Sequence, residues 1–123
     1  MAASFGRAVP ILRIFDVAKA VEFYVDWLGC TPDWQHRFDD GMPVYMQVSR
    51  DELVLHLSEH HGDGSPGVVV YVTMRDVFEL HAELAAKDYP FLNPGIHEDE
   101  LGTCVELLDP FGNRLRLVEP PPD

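Results

Sequence analysis

Two hydrophobic rhythms alternate along the 123-residue chain, and their order repeats. Residues 8–15 form an apolar run rich in branched side chains, which predicts a strand; Pro10, lacking a backbone donor, marks an irregular or edge position in it. Val17, Ala20, Val21, Tyr24, Trp27 and Leu28 then recur at helical spacing, between Asp16, suited to capping a helix, and Gly29, suited to ending one. Strands are predicted at about 30–38, 43–49 and 53–59, separated by the turn signals Asp39-Asp40-Gly41 and Ser49-Arg50-Asp51. The unit reads βαβββ.

After the turn-rich segment 60–66 the pattern restarts. A strand is expected at 67–74, a helix capped by Asp76 and running to about Lys87, and strands near 91–97, 103–108 and 113–119. Asp16-Val17-Ala18 is answered by Asp76-Val77-Phe78, and Leu55-His56-Leu57 by Leu115-Arg116-Leu117. The repeat predicts an α+β domain over 8–119, made of two tandem βαβββ modules (8–59 and 67–119) joined by the loop 60–66, with an N-terminal arm 1–7 and a tail 120–123. The halves are expected to face each other about a pseudo-two-fold axis and line one central cleft.

Alternation assigns the strand faces, because successive side chains point opposite ways. Leu53, Leu55 and Leu57 form one face, leaving Val54, His56 and Ser58 on the other; Leu115 and Leu117 likewise leave Arg114, Arg116 and Val118. Tyr45, Gln47 and Ser49 oppose Val44, Met46 and Val48, while Trp34, His36 and Phe38 share a side. The inner face is therefore mixed polar and aromatic, suited to a ligand.

Charge narrows the partners. Nine basic residues against twenty-one acidic ones give a formal charge of −12 and no basic stripe, which argues against nucleic acid. Cys30 and Cys104 stand alone without CxxC spacing, as packed thiols in a reducing compartment would. No stretch is long and apolar enough to span a bilayer, and the N-terminus carries no secretory h-region, so a cytoplasmic protein without membrane contact is expected.

The two modules, with Asp-Val-Ala-Lys-Ala-Val-Glu-Phe-Tyr-Val-Asp-Trp-Leu-Gly at 16–29 and Asp-Pro-Phe-Gly-Asn-Arg-Leu at 109–115, resemble the vicinal oxygen chelate superfamily of glyoxalases, bleomycin resistance proteins and dioxygenases. Residues 8–12, the helix and Leu55-His-Leu-Ser-Glu-His-His-Gly-Asp are most similar to the bleomycin resistance branch. Metal-using members of the superfamily take one ligand from the first strand and one from the last strand of each module. Counting seven residues back from each helix cap puts Val9 and Val69 at the first-strand positions; His56 and Arg116 stand at the last-strand ones. Valine offers no ligand and a guanidinium offers no lone pair, so no metal and no other cofactor are expected.

The resemblance further implies a homodimer, with the first strand or the N-terminal arm ahead of Pro10 exchanged between subunits and ligands held in grooves between them. An aromatic residue at the position of Trp34 is implied as a stacking surface. Leu101-Gly102 stands where these relatives carry Trp-Gly, replacing a stacking ring by an ordinary apolar contact. The groove residues expected are Trp34, Phe38, Tyr45, Gln47, His56, Ser58, Leu101, Glu106 and Arg116, with Glu106 paired to Arg114 or Arg116. The favoured function is sequestration of a small aromatic molecule, bleomycin-like or another antibiotic or metabolite, with the acidic balance fitting a basic ligand. The alternative is a lyase, isomerase or dioxygenase of the same fold, using either a metal at another set of ligands or His56 as general base with Arg116 steadying an oxyanion. The pair His60-His61 reads as an exposed connection, and Ser49, Ser58 and Cys104 lack the partners of a nucleophile.

Overall fold

A computed structural model describes residues 2–123; Met1, the first residue of the expected arm, lies outside them. The first module consists of β1 (Ile11–Arg13), a helix beginning as α1 (Val17–Ala20) and continuing as a π-helix (Val21–Trp27), then β2 (Thr31–His36), β3 (Tyr45–Arg50) and β4 (Leu53–Ser58). The second repeats it with β5 (Val69–Thr73), α2 (Val77–Ala86), β6 (Ile96–Asp99), β7 (Gly102–Leu108) and β8 (Arg114–Glu119). Each module forms a four-stranded mixed sheet of equivalent order, β1-β4-β3-β2 and β5-β8-β7-β6. The predicted α+β fold of two βαβββ modules is therefore present.

Several elements differ from the expected spans for local reasons. The first strand shrinks to three residues, although the Pro10 carbonyl still accepts a bond from His56 N at 3.0 Å. The strand expected at 91–97 begins only at Ile96, because Pro90 and Pro94 interrupt ladder pairing; Phe91 instead packs edge-on to Tyr89. Asp16 caps as expected, its Oδ1 accepting from Lys19 N at 2.9 Å. Asp76 does not. Its backbone is left-handed (φ 61°), away from the extended geometry of a side-chain cap, and Glu119 on β8 supplies the acceptor for Val77 N at 3.0 Å.

In the first helix Ala20, Phe23, Tyr24, Trp27 and Leu28 are buried, a stripe that includes Phe23 beyond the residues predicted. The widened bonding is visible where Leu28 N donates to Phe23 O at 2.9 Å, five residues back. This face covers Leu12, Val44, Met46, Val48, Leu55 and Leu57, while Val77, Leu80 and Leu84 of α2 join Val105, Leu107, Leu115 and Leu117 in the same core. The alternation read from sequence holds for these strands.

The modules meet through their helix-bearing sides. Trp27 Nε1 donates to Leu84 O at 3.1 Å, Lys87 Nζ to Trp27 O at 2.7 Å, and Tyr24 Oη to Asp109 Oδ2 at 2.6 Å. Arg50, on the core side of β3, makes a two-pronged contact with Glu83 of α2 at 2.8 and 2.9 Å. These bonds hold Glu83 below the usual carboxylate range, against the raising effect of its partial burial. Because the shared core occupies this side, the other face of each sheet turns away from it, and the single cleft expected between the two faces does not form within one chain. Among the described residues no helix is long and apolar enough to cross a membrane.

Candidate ligand-binding site

Proline at position 32 sets the geometry of the first open face. Pro32 lies on the edge strand β2, where its missing N–H is tolerated, and the pairing with β3 slips immediately after it: Pro32 opposes Val48, but Trp34 opposes Gln47. Asp33 is the extra residue. Without the slip Trp34 would fall opposite Met46 and point toward the core; with it, the indole joins Tyr45, Gln47 and His56 on the open face.

There the rings form a continuous surface. Trp34 lies parallel to Tyr45, with centroids 6.0 Å apart and an interplanar angle of 11°, and edge-on to His56 at 5.3 Å. It remains 45% exposed. Ile11, the register partner of His56, extends the surface toward β1.

A chain of hydrogen bonds fixes these side chains. Tyr45 Oη lies 2.6 Å from His56 Nδ1, His56 Nε2 2.9 Å from Gln47 Oε1, and Gln47 Nε2 donates to Asp33 Oδ2 at 3.1 Å. Asp33 can only accept, so Gln47 presents its carbonyl to His56; Nε2 then carries the proton and Nδ1 accepts from the phenol, an assignment inferred from the network. Burial, then the nearby Asp63, pushes the Tyr45 pKa up, keeping the phenol protonated as donor. The bonds from Ser49 and Gln47 hold Asp33 below its ordinary value. Both imidazole nitrogens are thus engaged within the protein, and a general-base role for His56 would first require the Tyr45 bond to break.

The second open face has a different chemistry. Glu106 on β7 bridges two arginines of β8, receiving Arg114 Nη1 at 3.0 Å and Arg116 Nε at 3.2 Å, as the alternation suggested. Tyr71 and Val69 of β5 stand in register with Arg116 and Arg114 and are about half exposed. Cys104 lies on this side too, buried, its thiol pKa raised chiefly by desolvation; Cys30 is likewise a buried free thiol, pushed up to about 11.

The residues expected in one groove are therefore distributed. Trp34, Tyr45, Gln47 and His56 come together on the first face, and Glu106 and Arg116 on the second. Phe38 lies beyond the end of β2, edge-on to His36 and 74% exposed, and Leu101 sits on the β6–β7 turn, 63% exposed. Ser58 is fully buried, donating to Asp63 Oδ2 at 2.7 Å and accepting from His60 N at 3.0 Å, so it fastens the connecting loop and lines no surface. Two cavities, of about 490 and 250 Å³, lie elsewhere: one between Phe15, Val17, Arg37 and Met42, the other between α2 and residues 88–94. None of the expected groove residues lines either.

Asp33 and Tyr71 were missed. The proline at an edge position was the available signal for the bulge that places Asp33; Tyr71 follows only from the parallel register. In the register the neighbours of His56 and Arg116 are Ile11 and Tyr71, and Val69 pairs with Arg114. One histidine with both nitrogens engaged, an isoleucine, a phenol and a guanidinium do not fit a divalent ion, which takes three or four oxygen, nitrogen or sulfur ligands. Among the described residues no three His, Cys, Asp or Glu side chains cluster as metal ligands.

Solved structures share this architecture. A bleomycin-binding protein from bleomycin-producing Streptomyces verticillus, complexed with copper(II)-bleomycin, is 28% identical, with a TM-score of 0.68 over 98% of this chain and 100% of that one. A bleomycin resistance determinant encoded on the transposon Tn5 is 26% identical, with a TM-score of 0.67 over 94% of this chain and 98% of the other. A bleomycin-binding protein complexed with bleomycin follows at 25% identity and 0.65, covering 95% of this chain and 100% of its own. No curated protein sequence matches significantly. The model describing glyoxalase superfamily proteins matches residues 2–121, nearly the entire sequence, and the chain accordingly belongs to the glyoxalase superfamily.

Proposed function

We propose that the protein binds a small aromatic molecule, antibiotic or metabolite, and sequesters it without turnover. The observation that carries this reading is the half-exposed Trp34 ring, held parallel to Tyr45 and edge-on to His56 on a sheet face that the chain itself leaves uncovered. A planar ligand gains face contact there on the order of 1 kcal/mol per ring beyond simple area burial. Relatives that were solved with bleomycin bound support small-molecule binding by this fold. Sequestration needs only affinity and abundance, and His56, bound on both sides, is arranged as a pocket wall.

The second wall is a second copy. With each open face turned from its own core, the first face of one subunit and the second face of its partner make a groove, and a symmetric dimer contains two. Light scattering at micromolar concentration should return twice the 13.9 kDa chain mass. A monomer at that concentration would remove the groove.

Calorimetric titration with bleomycin and a panel of planar aromatics should give saturable binding, with the ligand recovered unchanged by mass spectrometry. Trp34→Ala should weaken that binding on the order of tenfold, since it removes both the stacking surface and its buried area. Flat heats across the panel, or an unaltered affinity in the variant, would exclude the aromatic face as the binding surface.

A further inference from the structure

The chain has only nine lysines and arginines against twenty-one acidic residues, yet two of the nine project side by side from the second open face. Arg114 and Arg116 share one carboxylate, Glu106, and the pairing leaves a surplus positive charge. Each contact is single-pronged: Arg114 uses Nη1 and Arg116 uses Nε, and among the described residues the remaining guanidinium N–H groups make no hydrogen bond. Both side chains are about half exposed, at 52% and 45%. The flanks are apolar or aromatic, with Tyr71 in register beside Arg116, and Val69 and Leu108 beside Arg114.

We infer that this patch receives the anionic end of the ligand, so that the molecule bound is an aromatic acid carrying a carboxylate, phosphate or sulfonate, rather than a base. The inference rests on the proposed aromatic-binding dimer groove, which brings the arginine patch of one subunit to the rings of its partner, and adds the charge of the ligand to it. A guanidinium presents parallel donors that match two oxygens of such a group, and its unpaired edge is available here without disturbing Glu106. The bonds from Arg116 and Arg114 keep Glu106 ionised despite its partial burial, so the cationic pair stays fixed in place at neutral pH. On the first face, Tyr45 and His56 use their polar atoms on each other, which leaves rings but no free cation in the stack. The two faces therefore divide the recognition: aromatic body on one, anionic end on the other.

Three matched probes separate the possibilities: 2-naphthoate, neutral 2-naphthylmethanol and cationic 2-naphthylmethylammonium, titrated calorimetrically into the intact protein at low salt. The carboxylate should bind at least about fivefold more tightly than the alcohol, the advantage shrinking as salt is raised. Arg116→Gln should abolish that advantage. Equal affinities, a preference for the cation, or an advantage that survives in the variant would overturn the inference while leaving the aromatic-binding function standing. Absence of binding by all three would overturn both.

Discussion

Replacing Asp109 with alanine is expected to destabilise the protein by about 3–5 kcal/mol, because it removes a buried acceptor from four donors at once. Asp109 is 4% exposed. Its Oδ1 accepts from Phe111 N and Asn113 N, both at 2.8 Å, and its Oδ2 from Tyr24 Oη at 2.6 Å and Asn113 Nδ2 at 3.0 Å. Tyr24 lies on the first-module helix and Asp109 in the turn between β7 and β8, so this carboxylate both shapes a turn and ties the modules together. Burial, reinforced by Asp109, raises the Tyr24 pKa well above its ordinary value, so the phenol keeps its proton and donates it. Alanine would orphan that hydroxyl in a fully buried position, beside an Asn113 whose Oδ1 already lacks a protein partner.

Urea unfolding measures the loss. Tyr24→Phe, which deletes the hydroxyl and leaves the carboxylate its other three donors, should cost only about 1–2 kcal/mol. The two single variants and the double then give the coupling across the module boundary. A loss below about 1 kcal/mol in Asp109→Ala would mean that apolar packing alone holds the modules in place.

The fate of particular residues explains how far the sequence could be read. Leu55 and Leu57, like Leu115 and Leu117, alternate with polar neighbours, and alternation assigns a face whatever the strands pack against; these residues are buried as expected. A repeat is silent about which sides of its two copies meet. Here the meeting is made by Trp27 against Leu84 and Arg50 against Glu83, and no spacing along the chain distinguishes those contacts from contacts between the open faces. Trp34 could be aligned with its own strand but not with Tyr45, because a single bulged residue reverses the face and only Pro32 hints at it. Counting back from the helix caps led to Val9 and Val69, whereas parallel pairing brings Ile11 and Tyr71 beside His56 and Arg116. Asp76 has the residue type of a cap without its backbone geometry, and the replacement, Glu119, is far away in sequence. What remained hidden is thus long-range register and side-chain pairing, the two properties on which the site depends.

Gly102→Ala is expected to cost about 3 kcal/mol or more, and to loosen the second open face as it does so. The residue begins β7 with φ +131°, a conformation that side chains rarely adopt, and an added Cβ would collide with the backbone carbonyl oxygen of Glu119. Neither backbone yields easily. Thr103 is paired with Glu119 in the β7–β8 ladder, and the Glu119 side chain caps α2 through Val77 N, so relief of the collision would strain the sheet end and the helix start together. Gly41 provides the comparison, since its φ of +80° is also unfavourable for alanine but nothing lies within 4 Å of its added Cβ. Backbone strain alone should therefore make Gly41→Ala cost about 1 kcal/mol. The difference between the two variants in chemical denaturation isolates the collision. If Gly102→Ala lost no more stability than Gly41→Ala, the β7–β8 end would have to be free to shift. The hairpin carrying Leu101 and the cation-bearing strand beside it would then lack the rigid frame that a preorganised ligand surface requires.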